Sequence, residues 1–478
     1  MMDSLLAFLQ TVAGRVAIVS LFTALLAVLG APAWPAVGLA LLLTTFLPGR
    51  RRELLAVATV AVLFVAPPVD LDLLAELGAG RGAGAWLGAW PLVVAAVLAL
   101  ACVFVTAIGR RPKSLPGRHP VLVLVALLTA LFVVAAHAPL QGGPWFLATT
   151  SAMVLSSYVW FFAYAAAEAK LPGATPAWRQ LGFWRPFWGF SNVPVGKGAA
   201  YLARVEARDA AGLARTQLSG LRLLAWAAVL LAAMDALRWF VYTPHPEGAA
   251  GGPFPVALLA WLPAEGLPRV ADLLDAQARG EPFPLALRWA SVIGEFVMSV
   301  LHMMTWGHPI VATCRMVGFA AAPNTDRPLL STSIVEFYNR FYFYFKELLA
   351  TFFFYPTYFR FFRGSPRLRV FAATAAAAGL GNFLFHFYRD SGEIFRLGFV
   401  QALAAYHVYA CYALILGVAI GLSQLRLQAR GRRPLRGPRR VLANAGVVAF
   451  YCLVGVLDAR SPHSILEYAA LYRSLVIP

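Results

Sequence analysis

An all-α, polytopic membrane protein is the fold class this sequence predicts, on three observations. The 478-residue chain is 60% hydrophobic and only 13% charged, against roughly 25% charged in a soluble domain. Apolar runs approaching the about 20 residues needed to cross a bilayer recur from end to end. The connections between them alternate in charge, as the loops of membrane proteins do. No internal repeat, low-complexity tail or soluble domain interrupts the pattern, so residues 1–478 read as a single membrane domain.

Taken in order, the candidate spans are 12–30, 33–48, 53–68, 86–109, 119–138, 145–168, 220–242, 285–307, 369–388, 394–423 and 440–457. The second and third are short and flank GRRRE, with Arg50, Arg51 and Arg52. Further basic connections are RRPKSLPGRH from Arg110, RFFRGSPRLR from Arg360 and RLQARGRRPLRGPRR from Arg426. DLDLLAELGAG from Asp70, APLQGGP from Ala138 and the region of Glu265, Asp272, Asp275 and Glu281 are acidic or neutral. Placing the basic loops in the cytoplasm puts the N-terminus inside and the C-terminus outside. MMDSLLAFLQ has no basic n-region, so no cleavable signal is expected. Residues 169–219, rich in Trp, Phe, Pro, Gly and Arg, fit interfacial elements on the cytoplasmic side.

The net charge of +18 is explained by these loops and does not point to nucleic acid. Only four of the 40 basic residues are lysines, which with the abundance of Ala and Gly points to a GC-rich bacterial genome and an inner-membrane location. Cys102, Cys314, Cys411 and Cys452 form no CxxC or Cys/His cluster, so structural cysteines are expected, with no metal site and no bound cofactor.

Residues 332–359 conflict with simple alternation. They are aromatic and long, but Arg315 and Arg327 precede them and Arg360, Arg363, Arg367 and Arg369 follow. A slanted or re-entrant helical element, starting and ending on the cytoplasmic side, resolves the conflict, leaving about eleven crossings.

The densest polar cluster lies there, in PNTDRPLLSTSIVEFYNRFYFYFK. Glu336 and Arg340 are four apart and share a helix face, as do Tyr342 and Lys346, and Asn339 lies one turn from Tyr342. Ser331 to Ser333 can cap this element, with Glu336 as the capping-box acid. A capped helix whose charges merely neutralise one another is the structural alternative. In GLGNFLFHFYRD, Asn382, His386 and Arg389 fall on one helical face, so that Asn382 is placed to orient the imidazole or to bond a neighbouring helix. An ionisable side chain at this depth is costly and usually functional. Glu295 and His302 share a face and can line a cavity, as can His407 in YHVY, although holding helices together is the more frequent role of such groups.

GFAAAPNTDRPLLSTSIVEFYNRFYFYFKELL resembles the central motif of the membrane-bound O-acyltransferase (MBOAT) family in Gly318, Phe319, Asn324, Arg327, Pro328, Ser333, Phe337, Tyr338 and Arg340. His386, on a following apolar helix, matches the family histidine, and residues 186–196 resemble an upstream family element. The resemblance covers about residues 180–410, the N-terminal spans 1–168 matching only as spans. It implies acyl transfer from a cytoplasmic thioester, an acyl-CoA or acyl carrier, to a hydroxyl of a glycan, cell-wall polymer or lipid, with an exported polysaccharide or lipid as acceptor and a periplasmic acyl-handling protein as partner. His386 is then the general base. Where the family has a second catalytic His or Asn this chain has Tyr342, with Asn339 one turn earlier, and either can hold that role. A lipid or glycan-carrier flippase, or an MBOAT-like partner protein whose site has decayed, are the competing functions. A transporter is expected to carry inverted repeats, and the sequence has none.

Overall fold

A computed structural model describes residues 2–31, 33–188, 192–242, 266–430 and 435–477. Residues 431–434 of the last basic connection, 189–191 of the 186–196 stretch, and Glu265 lie outside these. The described chain is all-helical, apart from one isolated antiparallel bridge between Glu206 and Phe319.

Seven described helices are long and apolar enough to cross a membrane: Gly84–Arg110, Pro120–His137, Gly142–Glu168, Ala210–Tyr242, Leu285–Val317, Pro366–Arg389 and His407–Ala429. Met2–Gln10 and Val12–Val28, bent by 99°, add an eighth if the pair is one span. This criterion finds seven, or with the bent pair eight, of the eleven expected crossings among the described residues. Trp34–Phe46 and Arg51–Leu63 have 13 residues each, about 20 Å of helix against about 30 Å of hydrocarbon. Pro438–Gly455 has 18 and opens with Arg439 and Arg440. The expected span 394–423 is broken as well. Gly398 adopts φ 83°, and a Cβ there would lie 2.9 Å from the His137 ring. The chain consequently turns between Ser391–Leu397 and Phe399–Ala405, and the spanning helix starts only at His407.

Gly142–Glu168 is the central helix, with 83% of its most apolar window inside the protein. A helix apolar on every side is one that neighbours surround. Gly84–Arg110 and Pro120–His137 pack on one side of it. On another, Ser156 Oγ donates to the Tyr388 carbonyl at 2.6 Å, and the Trp160 ring lies 6.1 Å from Phe385. The central helix thus fixes the height of the helix that carries His386. Ala210–Leu237 and Leu285–Val317 form a second packed unit, joined to Trp34–Phe46 where Gln217 Nε2 donates to Thr45 Oγ1 and the Met316 carbonyl. Arg51 is 3% exposed, and its ion pair with Glu206, at 2.7 Å, ties the first basic turn to the chain beyond Ala199–Val205.

A close helix contact joins Pro366–Arg389 to His407–Arg430. A Cβ on Gly417 would stand 3.0 Å from the Gly379 nitrogen and 3.1 Å from its Cα. Gly379 lies in a π turn, Ala376–Gly381, within the His386 helix. Gly381 in turn faces Phe353, on a second π turn, Ala350–Phe354, at 2.7 Å from a Cβ position. Small residues allow such backbone contact between helices that cannot be driven together by the hydrophobic effect in lipid.

Gly417→Leu is therefore expected to destabilise the protein by about 1–3 kcal/mol through overpacking. Gly446→Ala, whose Cβ meets nothing within 4 Å, should instead stabilise by about 0.5–1 kcal/mol through helix propensity. Reversible unfolding of the detergent-solubilised protein measures both, and equal responses would remove the significance assigned to the Gly379–Gly417 contact.

Candidate functional site

The element 332–360 is a series of short helices. Ser333 caps Ile334–Phe341, accepting from the Glu336 amide at 3.2 Å. The Glu336 carboxylate reaches back to Thr332, accepting from its amide at 2.7 Å and its hydroxyl at 3.0 Å. Glu336 also pairs with Arg340 at 2.9 Å, as their spacing predicts. The helix then breaks at Tyr342, at φ −146° and ψ 85°. The break is stabilised by the preceding loop. The Asp326 amide donates to the Arg340 carbonyl, Thr325 Oγ1 donates to the Phe341 carbonyl, and the Phe343 amide donates to the Asn324 carbonyl. The PNTD stretch thus occupies the carbonyls that a continuing helix would have used.

The break sets the fate of the candidate residues. Tyr342 lines an interior cavity of about 200 Å³ together with Asn382, His386, Arg389, Tyr409 and Asp458. Asn339 lies on the opposite side of the break. It lines a separate open groove of about 1180 Å³ with Glu336, Arg340, Ser423 and Arg426. Asn339 and His386 therefore do not share a cavity, whereas Tyr342 and His386 do. Lys346 does not meet the Tyr342 hydroxyl. Its ammonium pairs with Glu347 at 2.6 Å, and Glu347 also pairs with Lys197. A further apolar cavity of about 450 Å³, lined by Trp188, Leu231, His302 and Trp306, meets the first at Met303 and Tyr342.

His386 is packed by aromatic rings, with centroids of Tyr409, Phe385 and Phe345 at 5.0, 5.3 and 5.6 Å. Its ring makes no hydrogen bond to any described residue, which leaves both nitrogens available to a ligand in the cavity. Of the two roles open to Asn382, the structure shows the bond to a neighbouring helix and not one to the imidazole. The Asn382 amide oxygen, buried, instead accepts from the Tyr409 hydroxyl at 3.2 Å. Asn382 thereby holds the ring that packs on His386, and its effect on the imidazole is indirect. The one-face placement of Asn382, His386 and Arg389 does hold, since all three line the cavity.

The remaining histidine and acid candidates lie outside the His386 cavity. The His407 ring nitrogens each lie 3.0 Å from a carbonyl oxygen, of Ala404 and of His463, so the side chain clasps the C-terminal segment and does not line the His386 cavity. Glu295 accepts from the Val270 amide at 2.8 Å instead of pairing with His302. All four cysteines are free, and no group of three metal-ligating side chains converges among the described residues.

Sequence reasoning missed the charged end of the cavity. Arg389 donates to Asp390 at 2.8 Å, and Asp390 also accepts from the Tyr406 hydroxyl at 2.5 Å. Arg460 pairs with Glu393 at 2.8 Å and lies 3.7 Å from Asp390. Burial alone would raise the Asp390 carboxyl, but the Arg389 and Tyr406 bonds and the Arg389 and Arg460 charges outweigh it and hold the group below the usual carboxylate range. It is therefore ionised at neutral pH, and its stabilising contribution is lost only as pH falls below about 4. Asp458 follows the Pro438–Gly455 helix and was legible only as an acid at the end of an apolar run.

If Asn382 and Tyr409 act as a unit, Asn382→Ala and Tyr409→Phe should each destabilise by about 0.5–2 kcal/mol. The double variant should cost less than the sum, which unfolding measurements in a double-mutant cycle will report. Strict additivity would mean that the pair is not coupled.

No family model matches the chain, and no curated protein matches it. Among the described residues the structure by itself gives an all-α chain with seven helices long and apolar enough to cross a membrane, and a polar and aromatic cavity around His386.

Proposed function

We propose that this chain is a membrane-embedded O-acyltransferase of MBOAT type, transferring an acyl group from a thioester to a hydroxyl acceptor with His386 as general base. One observation carries the reading: His386, with ring nitrogens bonded to no described residue, shares a single interior cavity with Tyr342. That pairs the family-like histidine with one of the two residues considered for the second role. Asn339, the other, lines the open groove.

The chemistry requires a base, oxyanion donors and exclusion of water. His386 takes the proton of the acceptor hydroxyl as its oxygen bonds to the thioester carbonyl carbon. The Tyr342 phenol is the donor toward the oxyanion. Collapse of the tetrahedral intermediate breaks the C–S bond, and the imidazolium returns its proton to the departing thiolate. Aromatic walls keep water low around the thioester.

The same reading places the protein in a bacterial inner membrane, with basic loops in the cytoplasm and 332–359 as a re-entrant element. Two contacts support this. The start of the element bonds the basic end of His407–Arg430, where the Val335 amide donates to Ser423 at 3.2 Å. Its end reaches the Lys113 loop, with Arg360 3.3 Å from His119 Nδ1. Cysteines introduced in the Lys113 and Arg363 loops should react with an impermeant reagent only from the cytoplasmic face; labelling of either from outside overturns the orientation.

With purified protein and an acyl-CoA, thiol release dependent on a hydroxyl acceptor is expected. His386→Ala should lower it by about 10²–10⁴-fold without loss of folding, and His407→Ala should act mainly through stability. Near-full transfer by folded His386→Ala would remove the catalytic assignment and favour a translocation path through the same cavity.

A further inference from the structure

Asp458 is the unmatched charge of the His386 cavity. At this end of the molecule Arg389 is committed to Asp390, and Arg460 is shared by Glu393 and Asp390. Asp458 makes no side-chain hydrogen bond or ion pair with any described residue, although it lines the same cavity as His386. It is exposed, and it is among the residues that line the cavity. Enough protein surrounds it for burial to push its carboxyl up to about 6, the nearby Arg389 charge opposing this and Asp390 adding to it. An unpaired carboxylate in such a place costs stability, and groups of this kind are found where a ligand supplies the missing partner.

The walls indicate which partner. Tyr409, Tyr412 and Tyr451 line the cavity with Phe296 and Phe337. These faces suit the C–H surface of a ring, while a carboxylate accepts from hydroxyls at its edge. A volume of about 200 Å³ is below the about 300–1,000 Å³ that encloses a whole drug-sized ligand, so the cavity takes one ring-sized end of a larger molecule.

We infer that Asp458 selects the acceptor: it accepts a hydrogen bond from a second hydroxyl on the ring whose first hydroxyl is deprotonated by His386, so the substrate class is a polyhydroxylated ring and not a simple alcohol. This rests on the acyltransferase reading above. Asp458 makes no bond to reacting atoms; it is a specificity-determining residue.

Asp458→Asn keeps the shape and removes the charge, and two readouts test it on the full-length protein in detergent. The first is stability. A carboxyl raised from its ordinary value to about 6 makes the folded protein lose stability as pH rises from about 4 to 6. The variant should therefore melt higher than the parent at pH 7.5, with the difference vanishing near pH 4. A carboxylate held for structure would give a lower melting point. The second readout uses an acyl-CoA as donor and compares glucose with 1-propanol as acceptors. The ratio of kcat/KM for glucose over that for 1-propanol should fall about tenfold or more in Asp458→Asn, mainly through KM, the size expected for a hydrogen bond to a charged group. If the parent transfers and the variant keeps the same ratio, the Asp458 inference fails while His386 stands. If the parent transfers to neither acceptor and His386→Ala releases thiol at the same rate, the acyltransferase reading falls and takes this inference with it.

Discussion

The backbone contact between Gly379 and Gly417 is the constraint on which the cavity depends. Two helices that meet at glycine can lie closer than side chains of any other kind permit. That closeness brings Tyr409, on the His407–Arg430 helix, to 5.0 Å from the His386 ring and within a hydrogen bond of Asn382. Separating the helices would widen the cavity and break the Asn382–Tyr409 bond together, because both are measured across the same gap. The central helix sets the other coordinate, since the Ser156 bond to the Tyr388 carbonyl stops the His386 helix from sliding along it.

Around this frame the polar groups divide into two kinds. Most are consumed by the fold: Glu336 on Thr332 and Arg340, Glu295 on Val270, His407 on two carbonyls, and Arg51 on Glu206. The His386 ring and Asp458 are not, and they face one another's cavity. In a protein of few charges, leaving these two without a hydrogen-bonding partner among the described residues is a local cost that packing elsewhere must offset.

Periodicity and charge made much of this legible. The all-helical class, the Glu336–Arg340 pair, the Ser333 cap and the shared face of Asn382, His386 and Arg389 follow from spacing alone. What spacing hides is where a helix stops. Read as one continuous helix, 334–349 puts Asn339 one turn from Tyr342; the break at Tyr342, built by bonds from Asn324, Thr325 and Asp326, sends them to different cavities. The same blindness affected the bounds of the span expected at 394–423, because apolarity continues across Gly398 while the backbone turns there. Asp458 escaped for another reason. It lies 72 positions beyond His386, and only the packing of Pro438–Gly455 against Leu285–Val317 and His407–Arg430 brings them to one cavity.

The π turn at Ala376–Gly381 has a consequence for how this helix is used. Each residue of an α-helix advances the direction of its side chains by about 100°, and a π turn admits one residue more than an α turn. The stripe below the turn and the stripe above it are thus out of phase by about a quarter of a circle. Pro366–Ala375 obeys one phase, set by its packing along His407–Arg430, while Asn382, His386 and Arg389 obey another, which carries them to the cavity. The wide turn works as a coupling between two separately aimed halves, so positions of Pro366–Ala375 away from the glycine contact can be altered in sequence without turning His386 away from the chamber it serves.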